Sequence, residues 1–270
     1  MTGYQKVSKE HQQYLANLRR KEKQKRIWQI SLIIVFFVLW EAAGRLGWID
    51  PFIMSQPSRI VKSLGNLYRE GSLGLHIGLT TAETLAGFFL STVIGVAAAI
   101  ALWWFPQAAK ILDPYLVVLN ALPKIALGPI LIVWAGAGPG AIIAVAVLVT
   151  VVVTVMTSYT GFVQTDENRI HLLRSFGATK RQVFLKVVLP SNVPNLISML
   201  KINIGLAWVG VIVGEFLVSR AGLGYLIVYG GQVFKLDLVM ASIFILCVLT
   251  AIMYYAVVFV EDLVMKIWQP

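Results

Sequence analysis

The sequence predicts an all-α, polytopic membrane protein with six transmembrane helices and a helical cytoplasmic loop, and two observations carry that class. Of its 270 residues 58% are hydrophobic and 13% charged, with a mean hydropathy of +0.77. A soluble domain carries about 25% charged residues, so this chain has too little polar surface to cover itself in water, which excludes a soluble enzyme. Six stretches also approach the roughly 20 apolar residues that a helix needs to cross a hydrocarbon core. They are residues 28–46, 79–105, 112–135, 141–163, 195–218 and 238–260. Helical form follows because lipid offers backbone groups no outside partner.

Residues 1–27 form a basic arm with eight cations: Lys6, Lys9, Arg19, Arg20, Lys21, Lys23, Lys25 and Arg26. The net charge of +10 would suggest nucleic acid if these residues formed one face of a soluble domain. Ahead of an apolar run they read as a topology signal instead. The first run is too long for a signal peptide, carries Glu41 near its end and lacks a small-residue cleavage site. With the N-terminus inside, fifteen Lys and Arg fall on the cytoplasmic side and five outside, the expected positive-inside bias. Trp28, Trp40, Trp48, Trp103 and Trp104 sit near span ends, where indole rings anchor at headgroup level.

Pro57 can start and Gly71 can end a short helix on the outer side, with Ile60, Val61, Leu64, Leu67 and Tyr68 on one face. This reads as an interfacial amphipathic helix. In the second span Gly87, Ser91, Gly95 and Ala99 recur every four residues, a stripe that lets another helix approach closely and so describes a packed bundle, with a subunit interface as a further use. Pro114, Pro123 and Pro129 each remove a helix donor from the third span and predict kinks. The GAGPG at 136–140 is an incomplete nucleotide fingerprint and reads as a tight turn.

Between the fourth and fifth spans runs TDENRIHLLRSFGATKRQVFLKVVLPSNVPN, the most basic internal stretch. Thr165 or Asp166 can cap a first short helix, which Gly177 ends. Thr179 and Gln182 fit a capping box for a second, which should stop before Pro190. Ile170, Leu172, Leu173 and Phe176 are apolar knobs among charges, and such knobs need a groove of lipid or protein.

Ionisable residues inside spans are site candidates by default. Glu83, Lys124, Lys201 and Glu215 qualify. Lys124, flanked by Pro123 and Pro129, could attract an anionic solute where proline frees carbonyls to line a cavity; snorkelling or a pair with Glu83 are the alternatives. Lys201 reads as an inner-interface anchor, and Glu215 as a hydrogen-bonding group at the Gly222-Leu223-Gly224 turn. Cys247 lies in an apolar run, reads as a small buried hydrophobe, and rules out an intramolecular disulfide. His11, His76 and His171 are scattered, and no metal pattern is present. No G-x-x-x-x-G-K-[ST] occurs either, so nothing in the sequence resembles a triphosphate-binding loop.

Gly177, nine residues, Val187, one residue, Leu189 and Pro190 resemble the "EAA loop" of ATP-binding-cassette importer permeases, EAA-x3-G-x9-I-x-L-P. His171, Leu172 and Leu173 occupy the EAA positions and Val187 the Ile position. The stretches WEAAGRLGWIDPFIMSQPSRI, ALPKIALGPILIVWAGAG and GLAWVGVIVGEFLVSRAGLGYLI are similar to the branch serving nitrate, sulfonate, taurine and bicarbonate. The likeness covers about residues 28–261.

The resemblance implies a permease subunit of an importer in the bacterial cytoplasmic membrane, with both termini cytoplasmic. Its domains would be an arm at 1–27, a permease domain at 28–265 containing a coupling loop at 164–192, and a tail at 266–270. Implied partners are two ATPase subunits, an external solute-binding protein, a second permease copy and the bilayer, with no nucleic acid. ATP would be bound by the partner, leaving this chain with no cofactor and no catalytic residue. Coupling to the ATPase would fall to Ile170, His171, Leu172, Leu173, Arg174, Phe176, Gly177, Leu189 and Pro190. The solute path would involve Lys124, Glu83, Pro123, Pro129 and Glu215. The expected solute is a small anion such as nitrate, a sulfonate, taurine or bicarbonate; the alternative within the branch is a neutral or cationic solute such as a thiamine precursor. An ion-coupled secondary carrier would need matched broken helices in two halves, and only one proline-rich span is present. A membrane enzyme would need a nucleophile with a base or a metal set, and neither is visible.

Overall fold

The computed structural model describes residues 9–268. The first eight residues of the basic arm, Lys6 among them, and the last two of the tail lie outside the described residues. The described chain is helical throughout its regular elements, and the contacts divide it after Ser63 into two units.

In the first unit, α1 (Lys9–Arg45) runs without interruption from the basic arm through the first apolar run. No proline or glycine interrupts it before Gly44, so nothing separates arm from span. α2 (Pro51–Met54) is capped by Asp50, whose carboxylate accepts from the Phe52 amide. α3 (Pro57–Arg69), which continues past Ser63 into the second unit, begins on its proline, as expected, and Gly71 adopts φ +71° two residues after its end. Ile60 and Leu67 on this helix are buried, whereas Val61 and Tyr68 are exposed, so the buried stripe is narrower than the sequence suggests.

The second unit is built on α4 (Leu73–Trp104), α7 (Pro139–Val163) and α10 (Leu189–Val218), with α12 (Leu236–Trp268) packed on α10. The small-residue stripe of α4 faces α7 within the chain, in keeping with the packed bundle expected of it. A Cβ at Gly87 would lie 2.7 Å from Ala146 Cβ, and one at Gly95 2.5 Å from Thr154 Cβ. The third side is closed by α10, where a Cβ at Gly210 would fall 2.5 Å from Ala146 Cα and one at Gly214 2.9 Å from Ile142 Cα. At this separation polar groups reach across: Asn203 Nδ2 donates to Thr154 Oγ1 at 2.9 Å, and Ser158 Oγ to Met199 Sδ at 3.1 Å. In lipid such packing and interhelical hydrogen bonds, not water exclusion, hold helices together.

Two expectations are corrected here. The span expected at 112–135 is a broken pair: α5 (Pro106–Ala121), then a 3-10 turn (Lys124–Leu127) leading into α6 (Gly128–Ala135), bent by 89°. Leu122 is held extended at ψ 140° because the ring of Pro123 disfavours helix at the preceding residue. Pro129 falls in the first turn of α6, where a missing N–H costs nothing. Among the described residues there are thus five long apolar helices, or six spans if the bent pair counts as one. Cys247, expected buried, is exposed on α12.

Replacing Gly210 by Val should drive side-chain carbon into the α7 backbone and lower stability by about 1–3 kcal/mol. Gly205→Ala on the same helix meets nothing within 4 Å and should leave the unfolding midpoint of the detergent-solubilised protein unchanged or slightly raised; a Gly210→Val midpoint equal to wild type would refute the packing.

Candidate functional site

The loop after α7 builds a rigid surface from local signals. Asp166 caps α8 (Glu167–Ser175), its carboxylate accepting from the Asn168 amide at 2.9 Å. Thr165 does not cap: it is buried, and its hydroxyl accepts from Asn192 Nδ2 at 2.8 Å. At the other end Gly177 adopts φ +79°, its amide donates to Arg174 O at 2.9 Å and the Ala178 amide to Leu173 O at 3.1 Å. This paired closure is the Schellman motif, which needs a left-handed residue at the position of Gly177. Thr179 then caps α9 (Lys180–Val183) with the reciprocal Gln182 contact of a capping box.

The second helix does not stop before Pro190. A π-helical turn (Phe184–Val188) joins α9 to α10, and the Leu189 amide donates five residues back to Phe184 O. Widening the helix by one residue lets Pro190, which lacks an N–H, enter without ending it. Residues 180–218 therefore form one continuous lever.

The coupling residues named from the sequence separate into two sets. Ile170, Leu173 and Leu189 pack inward on Phe162, Val183, Phe184 and Val188. Leu172 and Phe176 point away, 57% and 82% exposed, with His171, Arg174 and Gly177 also exposed. Two large apolar side chains thus stand in the open on a capped helix and form an exposed apolar surface.

One anchoring residue was not recognised from the sequence. Lys180 Nζ donates to Trp104 O at 2.6 Å and lies 5.5 Å from the centroids of both Trp103 and Trp104. Trp103 in turn meets Phe184 at 4.9 Å between centroids, and Phe184 meets Phe162 at 5.6 Å. The base of this exposed surface is thereby tied to the ends of α4 and α7. A lysine among tryptophans is a signal for such a tie, but these are 76 residues apart.

Above this surface an open cleft of about 370 Å³ is lined by Asn120, Thr157, Thr160, Gln164 and Asn195. Thr157 and Thr160 lie on one face of α7 with Gln164 at its C-cap, while Asn120 comes from α5 and Asn195 from α10. Lys124 borders the cleft through Asn120, donating to its Oδ1 at 3.2 Å and its carbonyl at 3.4 Å; Pro123 sets the break that carries it there. It is not paired with Glu83.

Glu83 and Glu215 do not line the cleft. They are 3% and 1% exposed and lie side by side where α11 (Leu223–Gln232) begins. Glu215 Oε2 accepts from the Gly224 amide at 2.6 Å, Thr80 Oγ1 from Leu223 at 2.8 Å and His76 Nδ1 from Gly222 at 2.9 Å. Three amides at the start of α11 are thus satisfied from α4 and α10. Lys201 forms an ion pair with Glu261 of α12 at 2.7 Å. Among the described residues no group of His, Cys, Asp and Glu could hold a metal.

Comparison with known proteins places this geometry. The model of the family "binding-protein-dependent transport system inner membrane component" matches residues 63–270. The chain is 31% identical over 232 residues to the formylaminopyrimidine transport permease protein ThiX of Halalkalibacterium halodurans, covering 86% of this chain and 92% of that one. It is 24% identical to the taurine transport system permease protein TauC of Escherichia coli, covering 82% of each. The putative aliphatic sulfonates transport permease protein SsuC of Bacillus subtilis is 27% identical over 86% of this chain and 85% of its own. Among solved structures, an inward-facing form of the MetNI methionine ABC transporter shares the fold, with TM-score 0.62 and 20% identity over 73% of this chain and 96% of that one.

Removing the Lys180 side chain (Lys180→Ala) deletes a charged hydrogen bond and a cation–π contact, together worth about 1–2 kcal/mol. Chymotryptic cleavage at Leu172 and Phe176 in the purified protein should accelerate roughly 5–30-fold; an unchanged rate would show that Lys180 does not anchor the surface.

Proposed function

Because the chain belongs to the binding-protein-dependent transport inner-membrane components, permease subunits of ATP-driven importers that act with ATPase and solute-binding partners, we propose that Leu172 and Phe176 are where it receives the ATPase's motion. The protein is a multi-pass inner-membrane transport component and not itself an enzyme. The observation carrying the proposal is the two-sided α8: Ile170 and Leu173 hold it to the bundle while Leu172 and Phe176 stand exposed. ATP is bound and hydrolysed by the partner, and this chain supplies no cofactor site. Two permease copies and two ATPase subunits form the working assembly, with both termini and the 164–192 coupling loop cytoplasmic, as the cation distribution supports.

In this reading closure of the ATPase dimer moves α8, the Lys180 and Phe184 anchors carry the movement into α4, α7 and α10, and the cleft exchanges access from the inside to the outside. Hydrolysis reverses it. Gly177, Leu189 and Pro190 act by shape: the first fixes the angle of α8, the others let α10 begin inside the loop without a break.

The cleft with Lys124 at its border supports a small anionic solute of the sulfonate, taurine, nitrate or bicarbonate class. Hydroxyls and amides can ring an oxyanion with donors, and the ammonium adds attraction without burying an unpaired charge. A formylaminopyrimidine-like solute fits the same neutral donors and is the second reading, carried by the ThiX likeness. Glu215 serves this path indirectly, by accepting from the Gly224 amide at the start of α11, with Glu83 beside it.

Leu172→Ala with Phe176→Ala should weaken ATPase association tenfold or more, as expected for apolar anchors worth about 2 kcal/mol, with the permease still inserted and folded. Unchanged association and transport would overturn the coupling assignment. Lys124→Ala should reduce uptake of an anionic solute by about tenfold or more; normal uptake would favour the neutral solute.

A further inference from the structure

The basic segment of α1 bears on topology but takes no part in the proposed coupling or solute path. Arg20, Lys21, Lys23, Lys25 and Arg26 lie within seven residues, are all exposed, and belong to the same uninterrupted helix as the apolar run that begins with exposed Ile27 and Trp28. Glu22 is the one acid among them.

Their arrangement distinguishes the kinds of partner they suit. At about 100° per residue, and taking Arg20 as zero, Lys21 falls near 100°, Lys25 near 140°, Arg26 near 240° and Lys23 near 300°. The largest angular gap is thus about 100°, and the cations encircle the helix. A protein groove covers one side of a helix, as the Leu172 and Phe176 side of α8 illustrates. A bilayer surface surrounds a helix that emerges through it. The axial spread matches as well: six steps of about 1.5 Å place the farthest cation roughly 9 Å from the nearest, within about one Debye length at physiological salt. Trp28, two residues beyond Arg26, is the residue type that settles at headgroup level.

We propose that this collar of five cations on α1 binds anionic phospholipid headgroups and gathers them around the first span. The inference rests on α1 crossing the bilayer and is independent of whether α8 couples to an ATPase. Clusters of this size beside a transmembrane helix suffice for headgroup selection, and the attraction must weaken with salt.

The test uses the full chain assembled with its ATPase partners in phosphatidylcholine vesicles that contain trace spin-labelled phosphatidylglycerol or spin-labelled phosphatidylcholine. Electron paramagnetic resonance then gives the fraction of each label held at the protein boundary. Wild type should favour phosphatidylglycerol by roughly threefold at low salt and lose most of that preference when salt screens the surface. The variant Arg20→Gln, Lys21→Gln, Lys23→Gln, Lys25→Gln, Arg26→Gln should lose at least half of the preference, while a variant exchanging Lys for Arg and Arg for Lys at the same positions should retain it. Both leaflets carry the label, so the readout does not depend on which way the chain inserts. A glutamine variant with the wild-type preference, or a preference insensitive to salt, would overturn the proposal. So would a glutamine variant that keeps its lipid preference but loses ATPase affinity, which would make the collar a protein-docking surface. Failure of the coupling assignment at Leu172 and Phe176 would leave the lipid preference unchanged.

Discussion

The backbone approach of α4 and α10 to α7 is the constraint on which the second unit depends. Lipid tails are as apolar as the side chains they surround, so exclusion from water gives these helices little reason to associate. Contact has to be close enough for dispersion and hydrogen bonds to hold them. Gly87, Gly95, Gly210 and Gly214 remove the atoms that would stand in the way. Ala146, Thr154 and Ile142 fill the space left, and Asn203 can then reach Thr154. A three-helix core made in this way resists internal deformation, because separating the helices loses packing and polar contacts together.

That rigidity gives the 164–192 loop a firm base. Lys180, Trp103, Trp104, Phe162 and Phe184 form the joint between loop and core, while Asn192 and Thr165 close the return of the chain. The π turn keeps the loop's second helix in line with α10. The cleft between α5, α7 and α10 is therefore walled by two of the helices to which the loop is tied. At the opposite end of the core Glu215, Thr80 and His76 hold the first amides of α11, so both ends of the bundle are fixed by polar contacts between elements.

What the sequence made legible was chiefly local. Asp166, Gly177, Thr179 and Gln182 declare their capping roles because each acts on residues within three or four positions. Pro190 misled for the same reason: the local rule ends a helix at proline, and only the π turn upstream shows that it need not. Composition marked 112–135 as apolar, and the extended Leu122 before Pro123 converts that run into two pieces at 89°. The glycine stripe of α4 announced a close neighbour without saying that the neighbour was α7. The Lys180 joint and the pairing of Glu83 with Glu215 join positions far apart in the chain, and no periodicity announces such contacts. The role of Glu215 at the Gly224 turn was closer to hand, since the two are nine residues apart.

The central claim is that the docking surface and the α4, α7 and α10 core move as one body. Spin labels at residue 168, exposed in the first turn of α8 and outside the coupling set, and at residue 93, on the exposed side of α4, would measure it most directly by pulsed dipolar spectroscopy on the assembled transporter without nucleotide and with ATP trapped. The account predicts one unchanged distance within the chain in both states. A shift approaching one helical turn, about 5.4 Å, would show that α8 slides over the bundle and would contradict it.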